Sequence, residues 1–492
     1  MTAGGEPRQD RDGRFGLALF ALALAPRLYV ALAWSGEPVW DGHYYDFAAR
    51  RIADGFGYSD DLEIGGHLVW HPWCHYPVGY SGALALFYRF FGGGPAVAGV
   101  FDALVGAALA VVTWLLAREA MSKHRARAAG LLMALHPGMI LYAALVMTEP
   151  LAALLTLLSF WITVRDPQPK RGAIAGALVL GVAALVRPQA LLCAPFLAAR
   201  VVPPVRTWLH PLSNAAKVLG GVAAVCALTL VPVLPWTARN CAVMDGCALV
   251  STNGGWNLAI GAFPRATGRF ETLHASDGCR EVTGQVQQDR CWFAYGVGEI
   301  TAHPGHWLGL IPAKLGFTFD HESFEVEYLH EARPNDWPEA KRAAGRDLMT
   351  TVHRLLLCAA ALGCVAFPRR GERGRDLRAQ SIALAGILLL AAIAVTARTP
   401  TFWPLALATA ALPWIPIPGS PPWPWSLRLP VALLATTVIT HAVFFGEDRY
   451  HVVVTPVLAL LAAGALRRSP TSEARSGRSP AKIEPKSSAG SV

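Results

Sequence analysis

The sequence predicts an all-α, polytopic membrane protein, and three observations support that fold class. Hydrophobic residues make up 53% of the 492 residues, whereas charged residues make up only 16%. Apolar segments of about 15 to 22 residues recur, which is close to the length that crosses a bilayer. The net charge of +9 is spread over short loops between these segments instead of forming one basic stripe. This pattern is typical of cytoplasmic loops and argues against a nucleic-acid partner.

The apolar segments predict about twelve transmembrane helices. The first follows Arg8, Arg11 and Arg14 and therefore resembles a signal peptide, but its length and its internal Pro26 and Arg27 favour a retained signal-anchor. The predicted spans are 15–35, 95–117, 126–142, 146–164, 172–186, 188–200, 217–236, 349–367, 380–397, 401–415, 429–445 and 451–466.

The basic loops alternate to one side of the membrane, which is expected to be the cytoplasm. Two long connections, 36–94 and 237–348, then lie on the outer side. We expect two interfacial helices in the first outer loop, at 44–53 and 78–91. The chain is thereby divided into an N-terminal membrane module 1–236, an outer loop region 237–348, C-terminal membrane helices 349–468 and a disordered cytoplasmic tail 469–492.

Five cysteines fall on the predicted outer side, where an oxidising compartment would permit disulfides. The pairs Cys241 with Cys247 and Cys279 with Cys291 are plausible, which leaves Cys74 unpaired.

Two carboxylates lie at the outer ends of predicted spans and are the candidate catalytic residues. Asp41 follows the first span within residues 40–46, which read WDGHYYD. Glu149 opens the fourth span, where the helix dipole stabilises negative charge. Asp41 could alternatively cap the helix that follows it, and Glu149 could act only as a dipole partner behind the cap residue Thr148.

Two arginines also lie at outer span ends, against the positive-inside trend. Arg187 stands in the sequence VRPQ and Arg449 in EDRYH. Guanidinium groups suit phosphate oxygens, which makes both residues candidates for phosphate binding. The alternative is contact with ordinary lipid headgroups, or ion pairing with Glu447 and Asp448.

Three histidines of the first outer loop invite a metal interpretation. His67, His71 and His75 lie close in sequence, but Pro72 and Pro77 interrupt any helix that would align them. No zinc-type motif is present, so an interfacial role is favoured. A divalent metal ion held by carboxylates such as Asp41 or Glu149 is left open, and the metal ligands are unknown.

The order of motifs resembles the membrane-embedded glycosyltransferases of the GT-C fold, in the bacterial branch related to protein O-mannosyltransferases and to the aminoarabinose transferase of lipid A. The motifs that carry the resemblance are WDGHYY at 40–45, ADGFGY at 53–58, YPVGY at 76–80, TEPL at 148–151, RP at 187–188, PWTARN at 235–240, STNGGWNL at 251–258 and DRYH at 448–451.

This resemblance implies a sugar donor carried on a polyprenyl phosphate and transfer at the periplasmic face of the bacterial inner membrane. It implies that Asp41 is the catalytic base, that Glu149 is the second acid, and that Arg187 and Arg449 bind the donor phosphate. The motifs also contain the candidate substrate-binding residues, which are His43, Tyr44, Tyr45, Tyr80, Asn253 and Trp256. Tyr44 and Tyr45 could instead belong to an aromatic interface belt.

Simple chemistry favours the same assignment. A lipid phosphate leaves readily once cations neutralise it, so one base that activates an acceptor hydroxyl suffices for a single inverting displacement. The group transferred would be a hexosyl or pentosyl group, and the acceptor a glycan, a lipid or a protein. The eukaryotic protein mannosyltransferases have a glutamate after the first-loop aspartate, whereas Gly42 follows here. This departure argues against a protein acceptor.

Two other classes are weighed against this hypothesis. A polytopic transporter would place its ionisable residues near the bilayer midplane and would show two related halves, and neither feature is evident. An O-antigen ligase or polymerase would depend mainly on arginine and histidine in large outer loops. Activity that survives loss of Asp41 would favour this second class.

Overall fold

The structure is a computed structural model that describes residues 8–201, 211–274, 277–366, 377–416 and 423–466. Helices dominate it, and the described residues contain one small two-stranded sheet. The predicted helical, polytopic membrane architecture is confirmed. The predicted disordered tail 469–492 lies outside the described residues.

The N-terminal half contains eight α-helices and two strands, with a short 3₁₀ segment at Tyr142–Ala144. Their bounds are α1 Arg8–Ala33, α2 Asp41–Ala53, β1 Ser59–Ile64, β2 His67–Pro72, α3 Gly79–Phe91, α4 Pro95–Arg118, α5 Lys123–Leu135, α6 Pro137–Leu141, α7 Glu149–Arg165 and α8 Pro169–Val186.

The remaining elements follow in the same order. They are 3₁₀ Pro188–Cys193, α9 Ala194–Leu197, 3₁₀ Ala198–Arg200, α10 Pro211–Leu230, α11 Leu234–Val243, α12 Gly254–Ile260, 3₁₀ Cys279–Glu281, α13 Gln285–Ala302, α14 Pro304–Gly309, α15 Ile311–Phe319, α16 Phe324–Ala332, α17 Glu339–Ala366, α18 Leu377–Thr396, α19 Trp403–Ala411, 3₁₀ Leu412–Trp414, α20 Trp425–Val443, 3₁₀ Asp448–Val454 and α21 Thr455–Gly464.

Six described helices are long and apolar enough to cross a membrane, and the number rises to eight if two bent helix pairs each count as one span. The prediction of about twelve spans therefore stays a prediction. The segment 188–200 differs clearly from the span predicted there, because it consists of three short helical pieces. Pro188 and Pro195 explain the break, since proline lacks the N–H that a continuous helix requires.

The predicted span 126–142 is also broken, between α5 and α6. Arg27 of α1 is fully buried and donates hydrogen bonds of 2.8 and 3.1 Å to the carbonyls of Ala134 and Met133 at the end of α5. These carbonyls have no partner within the helix because Pro137 interrupts it. Arg27, the charged residue of the first predicted span, thus binds carbonyl groups that the neighbouring helix leaves unpaired.

The first outer loop contains the two predicted helices as α2 and α3. Between them, where a loop was expected, β1 and β2 form an antiparallel hairpin in which Asp60 lies opposite His71. Gly65 and Gly66 make the turn with positive φ angles of 60° and 83°, which glycine adopts without strain. The all-α prediction therefore missed one hairpin, because its strands are exposed and lack a clear apolar alternation.

The second outer loop folds against the first. Arg239 donates hydrogen bonds of 2.6 and 2.9 Å to the carbonyls of Tyr58 and Trp73, and the buried Asn240 binds the carbonyls of Ala248 and Val250. Both predicted disulfides are present. The PWTARN motif is therefore structural, because it joins the two outer loops above the membrane helices.

Candidate active site

A cavity of about 650 Å³ lies where the two outer loops meet the ends of α7, α8 and α20. It brings together the two predicted acids and the two predicted arginines, which are up to 408 positions apart in the chain. The cavity is lined by, among others, Asp41, Tyr45, His75, Tyr76, Glu149, Arg187, Asn253, Trp256, His441, Arg449 and Tyr450.

Asp41 is the first residue of α2 and not its cap, which is Trp40. Trp40 has a φ of 51°, the one positive value at a non-glycine residue in the described chain. Its ring packs against Phe324 and Tyr328, with centroids 5.6 and 5.8 Å away. Such backbone strain persists only where packing enforces it, and it occurs often at functional sites. Here it sets the start of the helix that presents Asp41 to the cavity.

The Asp41 carboxylate is held at both oxygens. Tyr76 donates a hydrogen bond of 2.7 Å to Oδ1, and Arg449 forms an ion pair of 2.6 Å with Oδ2. Burial alone would raise the pKa of Asp41, but Arg449, Tyr76 and Arg187 outweigh it and lower the pKa below its ordinary value. Asp41 is therefore ionised at neutral pH and can accept a proton.

Arg449 is fixed from several directions. Its Nε lies 2.5 Å from Glu447, and its guanidinium group stacks 5.2 Å from the centre of the Phe324 ring. The neighbouring Asp448 anchors the same 3₁₀ segment, because its Oδ2 accepts bonds of 2.6 and 2.7 Å from the N–H and hydroxyl of Ser323 at the start of α16. Arg449 thus has little freedom to leave Asp41.

Glu149 and Arg187 form the second charged pair of the cavity. Glu149 is the first residue of α7 and is fully buried, and its Oε1 lies 2.6 Å from Nη1 of Arg187. Arg187 also donates to the hydroxyl of Thr148 at 3.2 Å. A buried charge requires such a partner, since an unpaired one would be strongly destabilising. Glu149 therefore does more than interact with the helix dipole, because it also pairs with Arg187.

Tyr450 joins the two arginines. The guanidinium carbon of Arg187 lies 5.4 Å from the centre of its ring, and that of Arg449 lies 5.1 Å from it. Two cations therefore face one aromatic ring, which brings their positive charge to one side of the cavity. An anionic ligand between them would contact both guanidinium groups, whose charges are already partly balanced by Glu149 and Asp41.

The remaining predicted substrate residues divide into two groups. Tyr45, Asn253 and Trp256 line the cavity. Tyr80 does not, because it is fully buried and donates a hydrogen bond of 2.7 Å to Asp102 in α4. Tyr80 therefore stabilises the junction of α3 with α4, and its assignment to substrate is not supported by its position.

His43 and Tyr44 lie on the outer face of α2, away from the cavity lining. The Tyr44 side chain is 46% exposed, and its ring packs beside Trp73 and Tyr76. This position agrees better with the aromatic belt than with a sugar contact. The helical period of α2 explains why Tyr45 reaches the cavity while His43 and Tyr44 do not. Asp41 and Tyr45 are four residues apart and share one helix face, whereas residues 43 and 44 face elsewhere.

The three histidines of the first loop do not gather around one point. His71 pairs with Asp60 at 2.6 Å in the hairpin, and His67 begins β2 at the exposed end. His75 packs against Tyr76 and Trp256, and burial lowers the pKa of its ring to about 4. It is therefore neutral at physiological pH, and its uncharged ring suits contact with a sugar better than with a phosphate.

Sequence reasoning missed a second cavity, of about 710 Å³, which is also lined by Asp41 and Arg449. Asp41, Phe270 and Arg449 line both cavities, so the two cavities meet at the ion pair. The second cavity is more highly charged and is lined by, among others, Arg269, His321, Glu327, Arg346, Glu447 and Asp448. These residues come from distant parts of the sequence, and no local motif joins them.

The structure also explains why glycine, and not glutamate, follows Asp41 at position 42. A Cβ atom at this position would collide with the Tyr328 hydroxyl and would lie 2.9 Å from the Val146 carbonyl oxygen. A glutamate side chain therefore has no room here. The packing of α2 against α16 requires glycine, whichever acceptor the protein uses.

Residues 75–236 match the family model described as dolichyl-phosphate-mannose-protein mannosyltransferase. This match confirms the predicted resemblance over that part of the chain, which includes Glu149 and Arg187. A search of curated protein sequences finds no match.

Three solved structures are also similar. Archaeal oligosaccharyltransferase AglB from Archaeoglobus fulgidus, in complex with an inhibitory peptide and a dolichol-phosphate, is 13% identical with a TM-score of 0.41. The similarity covers 92% of this chain and 50% of AglB, so the chain spans about half the length of that protein. ArnT from Cupriavidus metallidurans is 15% identical in the apo state and 14% identical when bound to undecaprenyl phosphate. The TM-scores are 0.33 and 0.32, and both alignments cover 91% of this chain and 77% of ArnT.

Proposed function

We propose that this chain is an integral membrane glycosyltransferase that transfers a hexosyl or pentosyl group from a polyprenyl phosphate to an acceptor hydroxyl. The reaction takes place at the periplasmic face of the bacterial inner membrane, the side opposite the basic loops. The observation that carries the proposal is the ion pair of 2.6 Å between Asp41, the proposed base, and Arg449, the proposed phosphate-binding cation, at the place where two cavities meet.

The donor occupies the cavity that contains both arginines. Its phosphate lies between Arg187 and Arg449, and the sugar extends toward Tyr45, His75 and Trp256, which offer aromatic and uncharged surfaces. Glu149 holds Arg187 at 2.6 Å and thereby positions it for the phosphate. Its role in the reaction is thus to position a cation rather than to transfer a proton.

The acceptor enters from the second cavity, so that its hydroxyl reaches Asp41 from the side opposite the phosphate. The acceptor oxygen attacks the anomeric carbon while the bond from that carbon to the phosphate oxygen breaks. The hydroxyl proton passes to the Asp41 carboxylate, and the polyprenyl phosphate leaves with the bonding electrons. Attack and departure on opposite faces invert the configuration at the anomeric carbon.

Charge explains why the arginines assist this step. The donor phosphodiester carries one negative charge, and the leaving phosphate gains a second as the bond breaks. Arg187 and Arg449 therefore bind the transition state more strongly than the ground state, which is the requirement for catalysis. A phosphate that is neutralised in this way leaves without a separate general acid.

The proposal is tested with Asp41→Asn in membranes that contain equal amounts of each protein. Labelled sugar transfer is measured from a panel of polyprenyl-phosphate donors to endogenous acceptors. Loss of the base is expected to reduce transfer by about 10² to 10⁴. Asp54→Asn is the matched control, because Asp54 lies exposed at the other end of α2.

Equal transfer by the native chain and by Asp41→Asn would refute the mechanism and would favour the ligase or polymerase class. The absence of transfer from every donor, with both proteins folded, would instead favour the transporter class. Orientation is tested separately with Asp54→Cys, which an impermeant thiol reagent should label in intact spheroplasts if this loop is periplasmic.

A further inference from the structure

A second polar cluster lies inside the protein and includes His451, which belongs to the same 3₁₀ segment as Arg449. It consists of Glu322, His353 and His451, whose side chains are at most 1% exposed. Glu322 Oε2 lies 3.1 Å from Nε2 of His451 and 3.7 Å from Nδ1 of His353, and the candidate ligand atoms of all three residues lie within 4.8 Å of one another. None of the three lines either cavity described above.

The backbone sets the protonation of both rings. Nε2 of His353 lies 2.9 Å from the Phe319 carbonyl oxygen, and Nδ1 of His451 lies 2.7 Å from that of Thr318. A carbonyl oxygen only accepts hydrogen bonds, so these two nitrogens carry the protons. The other nitrogen of each neutral ring therefore directs a lone pair toward Glu322. Metal-binding histidines are oriented in this way by bonds to backbone carbonyls.

Several atoms of this region lack hydrogen-bond partners in the described part of the chain. They include Oε1 of Glu322, Nδ1 of His353 and both carboxylate oxygens of Glu325. No ion pair joins either glutamate to a lysine or arginine among the described residues. Burial of two ionised carboxylates beside two neutral rings is strongly unfavourable, so either protons or a cation must compensate them.

A proton on Glu322 would relieve only part of this imbalance. Protons on the carboxyl groups would permit a hydrogen bond between Glu322 and Glu325 and another from Glu322 to Nε2 of His451. The lone pair on Nδ1 of His353, 3.7 Å from the same oxygen, would still have no donor. A cation placed among the three atoms satisfies all of them at once.

We propose that Glu322, His353 and His451 bind a divalent transition-metal ion of the Zn²⁺ type. Two imidazole nitrogens and one carboxylate oxygen form a donor set that zinc prefers, and Glu325 is the candidate for a fourth ligand. The ion would join the start of α16, the middle of α17 and the segment Asp448–Val454. Because His451 follows Arg449 by two residues, the ion would stabilise the segment that positions Arg449. This inference is independent of the proposed transfer reaction.

The test measures zinc by mass spectrometry in the full chain, purified in detergent with an affinity tag that contains no histidine. The protein is stripped with a chelator, reloaded with Zn²⁺ and desalted. The native chain should retain about one ion per chain, and Glu322→Gln or His353→Asn should retain less than about one tenth. His330→Gln is the matched control, since His330 lies in α16 and binds only the Trp337 carbonyl.

The melting temperature distinguishes a metal ion bound at the cluster from a proton bound to Glu322. Chelation should lower the melting temperature of the native chain, because loss of a ligand of the folded state destabilises it. The same treatment should leave Glu322→Gln unchanged. The glutamine amide can donate to Nε2 of His451, so this variant preserves the fold if a proton rather than a metal resides there.

The proposal is overturned if the folded native chain fails to retain zinc after reloading. It is equally overturned if Glu322→Gln and His353→Asn retain as much zinc as the native chain. A monodisperse profile in size-exclusion chromatography establishes that each variant is folded before its metal content is compared.

Discussion

Arg449 controls the protonation of Asp41, and its replacement by glutamine should move the acid limb of the pH profile upward. Burial favours the neutral form of Asp41, whereas the guanidinium group of Arg449, 2.6 Å away, together with Tyr76 and Arg187 favours the anion and outweighs burial. The pKa of Asp41 in the native chain is therefore lower than that of an ordinary aspartate. Since the base must be ionised to accept a proton, native activity should fall only as the pH drops through that low value.

The magnitude follows from the geometry of the pair. An arginine in contact with an aspartate lowers its pKa by about 1 to 3 units, which corresponds to about 1.4 to 4 kcal/mol. In Arg449→Gln the effect of burial is opposed only by Tyr76 and by the more distant Arg187. The acid limb should therefore move up by about 1 to 3 pH units. The plateau should also fall, by about 10² to 10³, because one phosphate contact is lost.

The assay is kcat/KM for sugar transfer between pH 3.5 and 8, with folding checked at each pH by chromatography. Arg187→Gln is the matched control. It removes a cation from the same cavity, but Arg187 is the weakest of the contributions that lower the pKa of Asp41. Its plateau should fall by a similar factor while its acid limb moves less. Superimposable limbs for the native chain and both variants would refute the assignment of Asp41 as the titrating base.

Three further variants test other parts of the structure. Tyr76→Phe removes the 2.7 Å hydrogen bond to Asp41 and should reduce kcat about tenfold or more, measured by transfer at neutral pH. Gly42→Ala should lower the melting temperature and the yield of folded protein, because its Cβ collides with the Tyr328 hydroxyl; native yield and stability would contradict the packing described. Asn240→Ala should reduce the free energy of unfolding by about 1 to 3 kcal/mol, since buried carbonyls lose their donor, while the acid limb stays in place.

The four charged residues selected from the sequence lie together in the structure, whereas two of the predicted membrane spans are broken. Asp41, Glu149, Arg187 and Arg449 could be selected because they stand in short motifs at the outer ends of apolar segments. The structure brings all four to one cavity. Tyr80 was selected from its motif alone, and nothing local reveals that its hydroxyl binds Asp102 in the next helix.

The two broken spans show a second limit of prediction from the sequence. Composition identifies residues 126–142 and 188–200 as apolar, but whether such a segment forms one helix depends on how its free backbone groups are bound. At the first break the donor is Arg27, from a different helix. The cluster of Glu322, His353 and His451 is similarly invisible in the sequence, because its members are up to 129 positions apart.

By itself the sequence determined that this protein is helical and embedded in a membrane, and that its unusual charges fall at one set of helix ends. These properties follow from hydrophobicity and local charge, which act over a few residues. Only the tertiary structure decided which acid pairs with which arginine, that Asp41 lines two cavities, and that Gly42 has no room for a side chain. Those features depend on contacts between segments far apart in the chain, and neither composition nor periodicity records such contacts.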